Sequence, residues 1–341
     1  MRFSFTGAVF LYCALFFCCG PSLFAQRIND VVRVRLPDSM ALGSREFSGL
    51  AASEGRLYFL GENRDDRLEA PTAGIHSISL DDLDESIRAE GKQVLQYRFH
   101  PVSGIDRIRQ LNGYQGLEAL TFLGDRFFIT VETELHSDSC YLVTGRRQGD
   151  AFRIDTSGIL ALEKPLLTDG GKVFNASFEA LALSGNSLYV FFEFNGFARN
   201  YAYRVDTRTL KTEKVPLDRK ISFRVTDAVS FKRRLILGVN YFFPLKAEAI
   251  YQDAVEERDK LLVQSGNEGK WHPFARLVVL KAKRKKVKVK RYIPMPDEFW
   301  TSNWEGAALH KKGVLLVNDK FIKQGGHETQ LIYLPLRRRW L

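Results

Sequence analysis

Polar residues recur at two fixed points of a pattern that the chain repeats five times, and most of them are carboxylates. In each copy a polar residue precedes small or apolar residues, a turn, an apolar strand and a second polar residue. The leading residues are Ser48, Glu118, Glu179, Asp227 and Glu305. The trailing residues are Glu62, Glu132, Glu193, Asn240 and Asn318. The offsets of 14, 14, 14, 13 and 13 residues predict hairpins whose two polar residues emerge at the same end of the sheet.

If the leading residues line a common axis, their chemistry is that of a hard cation site. Four carboxylates in a narrow channel repel one another unless they are protonated or bridged by a cation. Oxygen ligands without a histidine or cysteine cluster favour Ca²⁺, with Mg²⁺ or Mn²⁺ as alternatives. The competing interpretation is that each acid accepts hydrogen bonds from backbone amides of a neighbouring repeat and acts as a structural latch.

The elements that would position these residues are short strands at regular intervals. Each repeat contains about four strand signals, which predicts an all-β fold: a five-bladed β-propeller, with six blades as the alternative. The first strand of each blade would line the central channel. We expect the ring to close by pairing of two terminal strands, residues 30–36 and 329–334.

One stretch of the sequence is helical in pattern. Residues 245–264 are rich in Ala, Glu, Lys and Leu, with Pro244 before them and Gly266 after them. We predict a helical insertion at about 245–265 over one mouth of the ring, as a lid or as a packing element.

The first 26 residues have the pattern of a secretory signal peptide. Arg2 precedes an apolar run, and a cleavage site after Ala25 follows it. A retained N-terminal anchor is the alternative. We expect residues 27–341 to form a single propeller domain, exported to the periplasm or the extracellular space, without a membrane span. Of four cysteines only Cys140 lies beyond the signal, and we expect it to be buried and structural.

The chain carries a formal charge of +10, which favours anionic partners. The densest basic run is Lys281–Lys290, where Lys alternates with Val in the second half. This alternation predicts a solvated edge strand, and we do not expect nucleic-acid binding. The expected partner is a small anionic substrate such as a phosphate ester.

A charged turn follows the first trailing acid. Residues 63–67 read Asn-Arg-Asp-Asp-Arg. Arg64 and Arg67 could grip a phosphate while Asp65 or Asp66 orients water. The alternative is a solvated loop.

Three of the repeated phrases resemble those of a known family. They begin at Glu118 (Glu-Ala-Leu-Thr-Phe), Phe178 (Phe-Glu-Ala-Leu-Ala) and Asn303 (Asn-Trp-Glu-Gly-Ala-Ala). They are similar to the esterase-like-activity-of-phytase (phytase-like) β-propeller family. The series of leading residues also resembles the calcium-activated nucleotidases (apyrases), which are five-bladed propellers with Ca²⁺ in the channel. The resemblance implies that Ser48, Glu118, Glu179, Asp227 and Glu305 are cation ligands. The chain departs from the pattern at Asp227 and after Asn240, and residues 63–67 match the nucleotidases' acidic-arginine turn only loosely.

These features lead to three functional hypotheses. The first is an exported, Ca²⁺-dependent phosphoester hydrolase in which residues 64–67 carry the catalytic groups. The second is a non-catalytic propeller that binds a ligand beside a structural cation. A lactonase-type esterase is the third, with less support because its additional Asn and Asp ligands have no counterpart here.

Overall fold

The computed structural model describes residues 31–41, 46–62, 74–167, 170–173, 176–196, 200–232, 234–244, 252, 254–265, 270–319 and 328–336. Across these ranges the strands form five four-stranded antiparallel units, which we call blades 1 to 5. Elements are numbered in chain order.

Each blade is built from strands that are close neighbours along the chain. Blade 1 contains β2 (Phe47–Ser53), β3 (Arg56–Gly61), β4 (Gly74–Ser79) and β5 (Tyr97–Ser103). Blade 2 contains β6 (Tyr114–Leu123), β7 (Arg126–Thr133), β8 (Ser139–Gln148) and β9 (Ala151–Glu163). Blade 3 contains β10 (Phe178–Ser184), β11 (Ser187–Phe192), β12 (Tyr201–Asp206) and β13 (Thr212–Pro216). Blade 4 contains β14 (Arg224–Ser230), β15 (Leu235–Phe242), β18 (Phe274–Lys283) and β19 (Lys286–Pro294). Blade 5 contains β20 (Asn303–His310), β21 (Gly313–Asp319), β22 (Leu331–Pro335) and β1 (Val32–Val34).

The first strands of the blades form a closed ring. Strands β2, β6, β10, β14 and β20 each contact the first strand of the blade on either side, and β20 contacts β2. The chain therefore has the predicted all-β propeller fold. Blades 1 and 2 are also joined at their outer edge, where β5 and β9 run parallel and Val102 pairs with Phe152.

The ring closes by pairing of the chain's two ends, as predicted. Strand β1 pairs antiparallel with β22, and Val32 lies opposite Tyr333. This pairing completes blade 5 and covers the edge that β22 would otherwise present to solvent.

The core lies between the blades. Five clusters of buried apolar side chains occupy the five interfaces between neighbouring blades. At the interface of blades 4 and 5, for example, Leu237 and Val239 pack with Leu316 and the fully buried Trp304. Strand alternation explains this arrangement, because both faces of each blade are covered by a neighbour.

Cys140 is buried at the interface of blades 2 and 3, as expected for a structural thiol. Burial raises the pKa of its thiol.

The helices differ from the prediction. The described helices are α1 (Asp38–Ala41), α2 (Leu80–Arg88), α3 (Ile105–Arg109) and α4 (Glu257–Val263), and a 3-10 turn covers Asp297–Phe299. Among the described residues of the predicted insertion, Gln252 and α4 are helical and residues 254–256 are not. Residues 245–251 and 253 lie outside the described residues. Helix α2 was not predicted; Ser79 caps it by accepting from the amide of Asp81 at 3.2 Å.

Two short strands, β16 (Gln264–Ser265) and β17 (Lys270–Trp271), pair between α4 and β18. The basic run lies on β18 and β19, and β19 is the outermost strand of blade 4, as predicted.

In the ranges that the structure describes, no helix combines the length and apolar character needed to cross a membrane.

Candidate functional site: the axial carboxylate cluster

A β-bulge interrupts the start of every inner strand at the leading position of the repeat. Register shifts fall at Ser48, Glu179, Thr226 and Glu305, and across Glu118 and Ala119. A bulge leaves its extra residue unpaired and changes the direction of its side chain. At one end of the ring, the side chains of these five residues therefore do not follow the alternating directions of the other strand residues.

Glutamates from four blades come together at this end. Glu118, Glu179 and Glu305 are 5–8 % exposed. Burial raises the pKa of Glu118 well above its ordinary value, and the negative charges of Glu132, Glu62, Glu179 and Glu305 raise it further. We call these five glutamates, together with Glu193, the axial carboxylate cluster.

Arg224 supplies a positive charge inside this cluster. Its Nε donates to Oε2 of Glu193, and its Nη2 lies 3.7 Å from Oε2 of Glu179 and 4.0 Å from Oε1 of Glu305. Burial and repulsion from Glu193 raise the pKa of Glu179, and Arg224 opposes that rise. The described ion pairs of the cluster all involve Arg224, and the raised pKa values of Glu118 and Glu179 indicate that its carboxylates still repel one another.

Among the cluster's buried carboxylate oxygens without a hydrogen-bond donor are Oε2 of Glu179 and Oε1 of Glu193. A buried acceptor that is left without a donor costs about 1–3 kcal/mol, and more when it is charged. In contrast, Oε1 of Glu305 accepts a hydrogen bond from the side-chain amide of Asn303.

Ser48 lies at the predicted position but its hydroxyl has a backbone partner. Its Oγ donates to the carbonyl of Leu117 in blade 2 at 2.6 Å. Thr226 makes the equivalent bond in blade 4, where its Oγ1 donates to the carbonyl of Trp304 in blade 5 at 2.5 Å. Both carbonyls belong to the residue before the bulge of the next blade, so the two hydroxyls connect neighbouring blades.

Thr226, and not Asp227, occupies the leading position of blade 4. Asp227 pairs with Val239, as Gly49 pairs with Leu60 in blade 1. At this position the inner strands approach closely: a Cβ on Gly49 would lie 2.9 Å from the carbonyl oxygen of Glu118. Asp227 therefore lies one residue further along its strand than the glutamates of the cluster.

The Asp227 carboxylate is bound by amides of three blades. Its oxygens accept from the amides of Ala228 at 2.7 Å and Ala307 at 2.6 Å, and from Leu50 of blade 1. Burial raises the pKa of Asp227, and these amide hydrogen bonds oppose the rise. For this residue the structure matches the latch interpretation, which the sequence analysis left open beside the ligand interpretation.

The trailing residues separate into two groups by register. Glu132 pairs with Gly116, and the amides of Glu62 and Glu193 donate to Glu46 and Ser177, so these three glutamates are equivalent. Asn240 pairs with Val225 and Asn318 pairs with Trp304. Each asparagine therefore lies one residue earlier on the second strand of its blade than the three glutamates do on theirs. The equivalent positions in blades 4 and 5 belong to Tyr241 and Asp319.

Asn240 and Asn318 have structural partners instead. Asn240 accepts from Nε of Arg276 at 2.7 Å and donates to the carbonyls of Phe223 and Arg224. Asn318 accepts from the amide of Gln330 at 2.5 Å. Neither side chain takes part in the interactions of the carboxylate cluster that are described above.

The predicted catalytic turn begins where the described part of blade 1 ends. Arg64, Asp65, Asp66 and Arg67 lie outside the described residues. Glu62, which immediately precedes them, is one of the charges that act on Glu118. The chain therefore leaves blade 1 for this turn at the carboxylate cluster.

The donor chemistry of the cluster suits a hard cation, but its side chains are not pre-arranged as ligands. Within the described ranges, no three acidic, histidine or cysteine side chains form a group that could hold a metal ion. Arg224 lies among the carboxylates that such an ion would use. The buried oxygens of Glu179 and Glu193 that lack a hydrogen-bond donor are nevertheless the kind of atom that binds a hard cation.

Arg224 and Asn303 are the site residues that sequence reasoning missed. Each lies two residues before the bulged residue of its strand. The available signal for Arg224 was a basic residue two positions before the bulge, where none of the other four repeats has one.

Comparisons with known proteins extend over most of the chain at low similarity. No family model matches, and no curated protein matches. Among solved structures, a glucose dehydrogenase is 10% identical, with 90% of this chain and 99% of that chain covered and a TM-score of 0.44. A GH43_1 enzyme from Xanthomonas citri is 9% identical, with 92% and 93% covered and a TM-score of 0.47. An alpha-L-arabinofuranosidase from Clostridium thermocellum is 10% identical, with 86% and 83% covered and a TM-score of 0.46. At these scores the likeness says nothing about the activity of this chain.

Proposed function

We propose that this protein is an exported, divalent-cation-dependent phosphoester hydrolase whose cation, Ca²⁺ in the first instance, binds the axial carboxylate cluster. Mg²⁺ and Mn²⁺ are the alternatives. The observation that carries the proposal is that Oε2 of Glu179 and Oε1 of Glu193 are buried among other carboxylates without a hydrogen-bond donor. Glu118, Glu179 and Glu305 would hold the ion, with Glu132 beside them. We assign Ser48 and Asp227, the other two predicted ligands, to backbone contacts.

When bound, the cation would supply positive charge to the substrate phosphate and to a nearby water. Asp65 or Asp66 would accept the proton of the attacking water. The oxygen of that water forms the new bond to phosphorus while the ester P–O bond breaks, and the leaving alkoxide takes a proton from solvent. Arg64 and Arg67 would bind the phosphoryl oxygens and stabilise the charge that develops on them.

A second candidate is a ligand-binding propeller with a structural cation. The ion pairs of Arg224 with Glu193 and Glu179 favour this candidate. Because Arg224 already neutralises part of the negative charge, a cation bound beside it would complete the charge balance and have a structural role. Both candidates share the cation site and differ in turnover.

Two measurements test the candidates together: calorimetric titration with CaCl₂ measures cation binding, and hydrolysis of a chromogenic phosphate ester measures turnover. We expect hydrolysis only with added divalent ion. Glu179→Gln should weaken Ca²⁺ binding at least tenfold, which corresponds to about 1.4 kcal/mol. Glu298→Gln, on the surface, is the matched control and should change neither.

Variants of the turn separate binding from chemistry. Asp65→Asn and Asp66→Asn should lower turnover while Ca²⁺ affinity stays unchanged. Calcium binding without turnover of phosphate esters or nucleoside diphosphates would support the binding propeller. Absence of Ca²⁺, Mg²⁺ and Mn²⁺ binding would refute both candidates.

A further inference from the structure

A second polar site lies on blade 2, on its middle and outer strands. A cavity of about 450 Å³ is lined by β7, β8 and β9, with three arginines among its walls. Arg126 lies directly opposite Arg146, and Arg146 directly opposite Arg153. Residues that are directly opposite in a sheet share a face, so the three guanidinium groups form one row across three strands.

A row of like charges on adjacent strands is unfavourable by itself. Cross-strand neighbours have Cβ atoms about 4.5–5.5 Å apart, and like charges at that distance destabilise the sheet. Arg146 is compensated by Asp125 at 2.7 Å, where both side chains are more than half exposed. Arg126 donates to the carbonyl of Thr207 in blade 3.

Arg153 has no such compensation. No hydrogen bond or ion pair links its exposed side chain to any residue in the ranges that the structure describes. Asp155, the acid among the cavity walls, accepts from both the amide and the hydroxyl of Ser157 on the same strand, and its charge interacts with that of Arg126.

Thr144 adds a buried polar atom to the same cavity. It is 1 % exposed, and its Oγ1 has no hydrogen-bond partner. It lies two residues from Arg146 on β8 and therefore on the same face as the arginine row. A hydroxyl without a partner at this place can donate to a ligand that the arginines attract.

We propose that this cavity binds a phosphate group, either inorganic phosphate or a phosphate monoester. Guanidinium groups match the oxygens of a tetrahedral dianion in geometry and charge, and a bound dianion would offset the repulsion within the row. The Thr144 hydroxyl would donate to one of its oxygens, and Gln148 supplies an amide at the rim. The site is on blade 2 and is independent of the axial carboxylate cluster.

Titration with inorganic phosphate in EDTA at fixed ionic strength tests the site without interference from divalent ions. We expect saturable binding that Arg153→Gln weakens at least tenfold and Thr144→Val three- to tenfold. Arg284→Gln removes the same charge from the exposed turn between β18 and β19 and should leave the affinity unchanged. A parallel titration with glycerol phosphate shows whether the free ion or the ester is preferred, and sulfate serves as the competing anion.

Equal losses in Arg153→Gln and Arg284→Gln would show general electrostatic attraction and overturn the proposal. So would binding of sulfate without phosphate, or unchanged affinity in both cavity variants. Because Arg153 is exposed, its variant should fold normally, and a melting curve without ligand confirms this. That curve should also show a slightly higher Tm than wild type, since one like charge is removed from the row.

Discussion

Two buried arginines in neighbouring parts of the molecule have opposite surroundings. Arg276, on β18, donates two parallel hydrogen bonds to Asp259 of α4 at 3.0 and 2.9 Å. Arg224, on β14, lies among several glutamates, and its Nε donates to Glu193. Their side chains are 4 % and 8 % exposed, so burial does not distinguish them.

The Arg276 network is complete. Besides Asp259, Arg276 donates to Asn240 at 2.7 Å, and Ser222 donates to Asp259 at 2.6 Å. The guanidinium also lies 3.6 Å from the ring centre of Tyr292. Burial favours a raised pKa for Asp259, yet the hydrogen bonds and charge of Arg276 lower it below its ordinary value.

The carboxylate cluster has the reverse balance, because burial and mutual repulsion raise the pKa values of Glu118 and Glu179. One arginine thus matches one acid in the first region, whereas in the second Arg224 lies among carboxylates that still repel one another. The first region connects α4 to blade 4, and the second is where we propose that the cation binds.

The largest expected effect is loss of the Arg276 network. Arg276→Met leaves Asp259 buried without its partner, and removing one member of a buried ion pair costs about 3–5 kcal/mol. Chemical denaturation should show a loss of this size in the free energy of unfolding, and CaCl₂ should not restore it. Lys92→Ala, at an exposed ion pair, is the control and should stay within about 0.5 kcal/mol. A loss below about 1 kcal/mol in Arg276→Met would contradict the contrast drawn here.

Arg224→Met is the matched change in the cluster. It removes the positive charge that offsets Glu193, Glu179 and Glu305, so without divalent ions we expect destabilisation of about 2–4 kcal/mol. Here CaCl₂ should restore a large part of the stability, because a bound cation replaces the lost charge. If Ca²⁺ rescues neither arginine variant, the two regions do not differ as proposed.

The sequence was sufficient to predict the propeller, the terminal closure and the convergence of three of the four leading acids. Because both faces of each blade are buried, its strands are apolar and the polar turns between them can be located in the sequence. Glu118, Glu179 and Glu305 were identified correctly as neighbours because three hairpins share one register.

Blade 4 shows why the rest was not predictable. Its β14–β15 connection is longer, with Ser230 opposite Ile236, where blade 3 has Ser184 opposite Ser187. Choosing Asp227 by residue type therefore selected the wrong register, and Thr226 was overlooked. The direction of Arg224 depends on the same bulge, and residue types do not reveal a bulge. The charge-matching that distinguishes Arg276 from Arg224 is likewise a property of the packed structure.

Glu118→Gln should stabilise the protein at neutral pH while weakening Ca²⁺ binding. The variant keeps the shape of the side chain and removes one repelling charge, so we expect Tm to rise by a few degrees in EDTA. A Tm that falls instead would show that the Glu118 carboxylate has stabilising partners that offset its burial and the repulsion from its neighbours.

The same variant should change the pH dependence of stability. Glu118 and Glu179 have folded pKa values above the ordinary value of 4.5, so the folded state binds more protons than the unfolded chain in that window. Without divalent ions, stability should therefore fall as pH rises from 4.5 through the raised pKa values and then level off. Melting curves between pH 4.5 and 9 should show a smaller fall for Glu118→Gln. Asp259 does not obscure this test, since its lowered pKa places its contribution below 3.8.

The smallest effects are expected at the hydroxyl members of the ring. Ser48→Ala and Thr226→Val each remove one hydrogen bond to the next blade, which is worth about 0.5–1.5 kcal/mol. Because these hydroxyls are already satisfied by carbonyls, both variants should keep the wild-type affinity for Ca²⁺ in a calorimetric titration. A Ser48→Ala variant that loses Ca²⁺ affinity as Glu179→Gln does would show that Ser48 leaves its carbonyl and joins the ligand set. In that case Ser48 would belong to the cation site, whereas Thr226 would keep its structural hydrogen bond to the next blade.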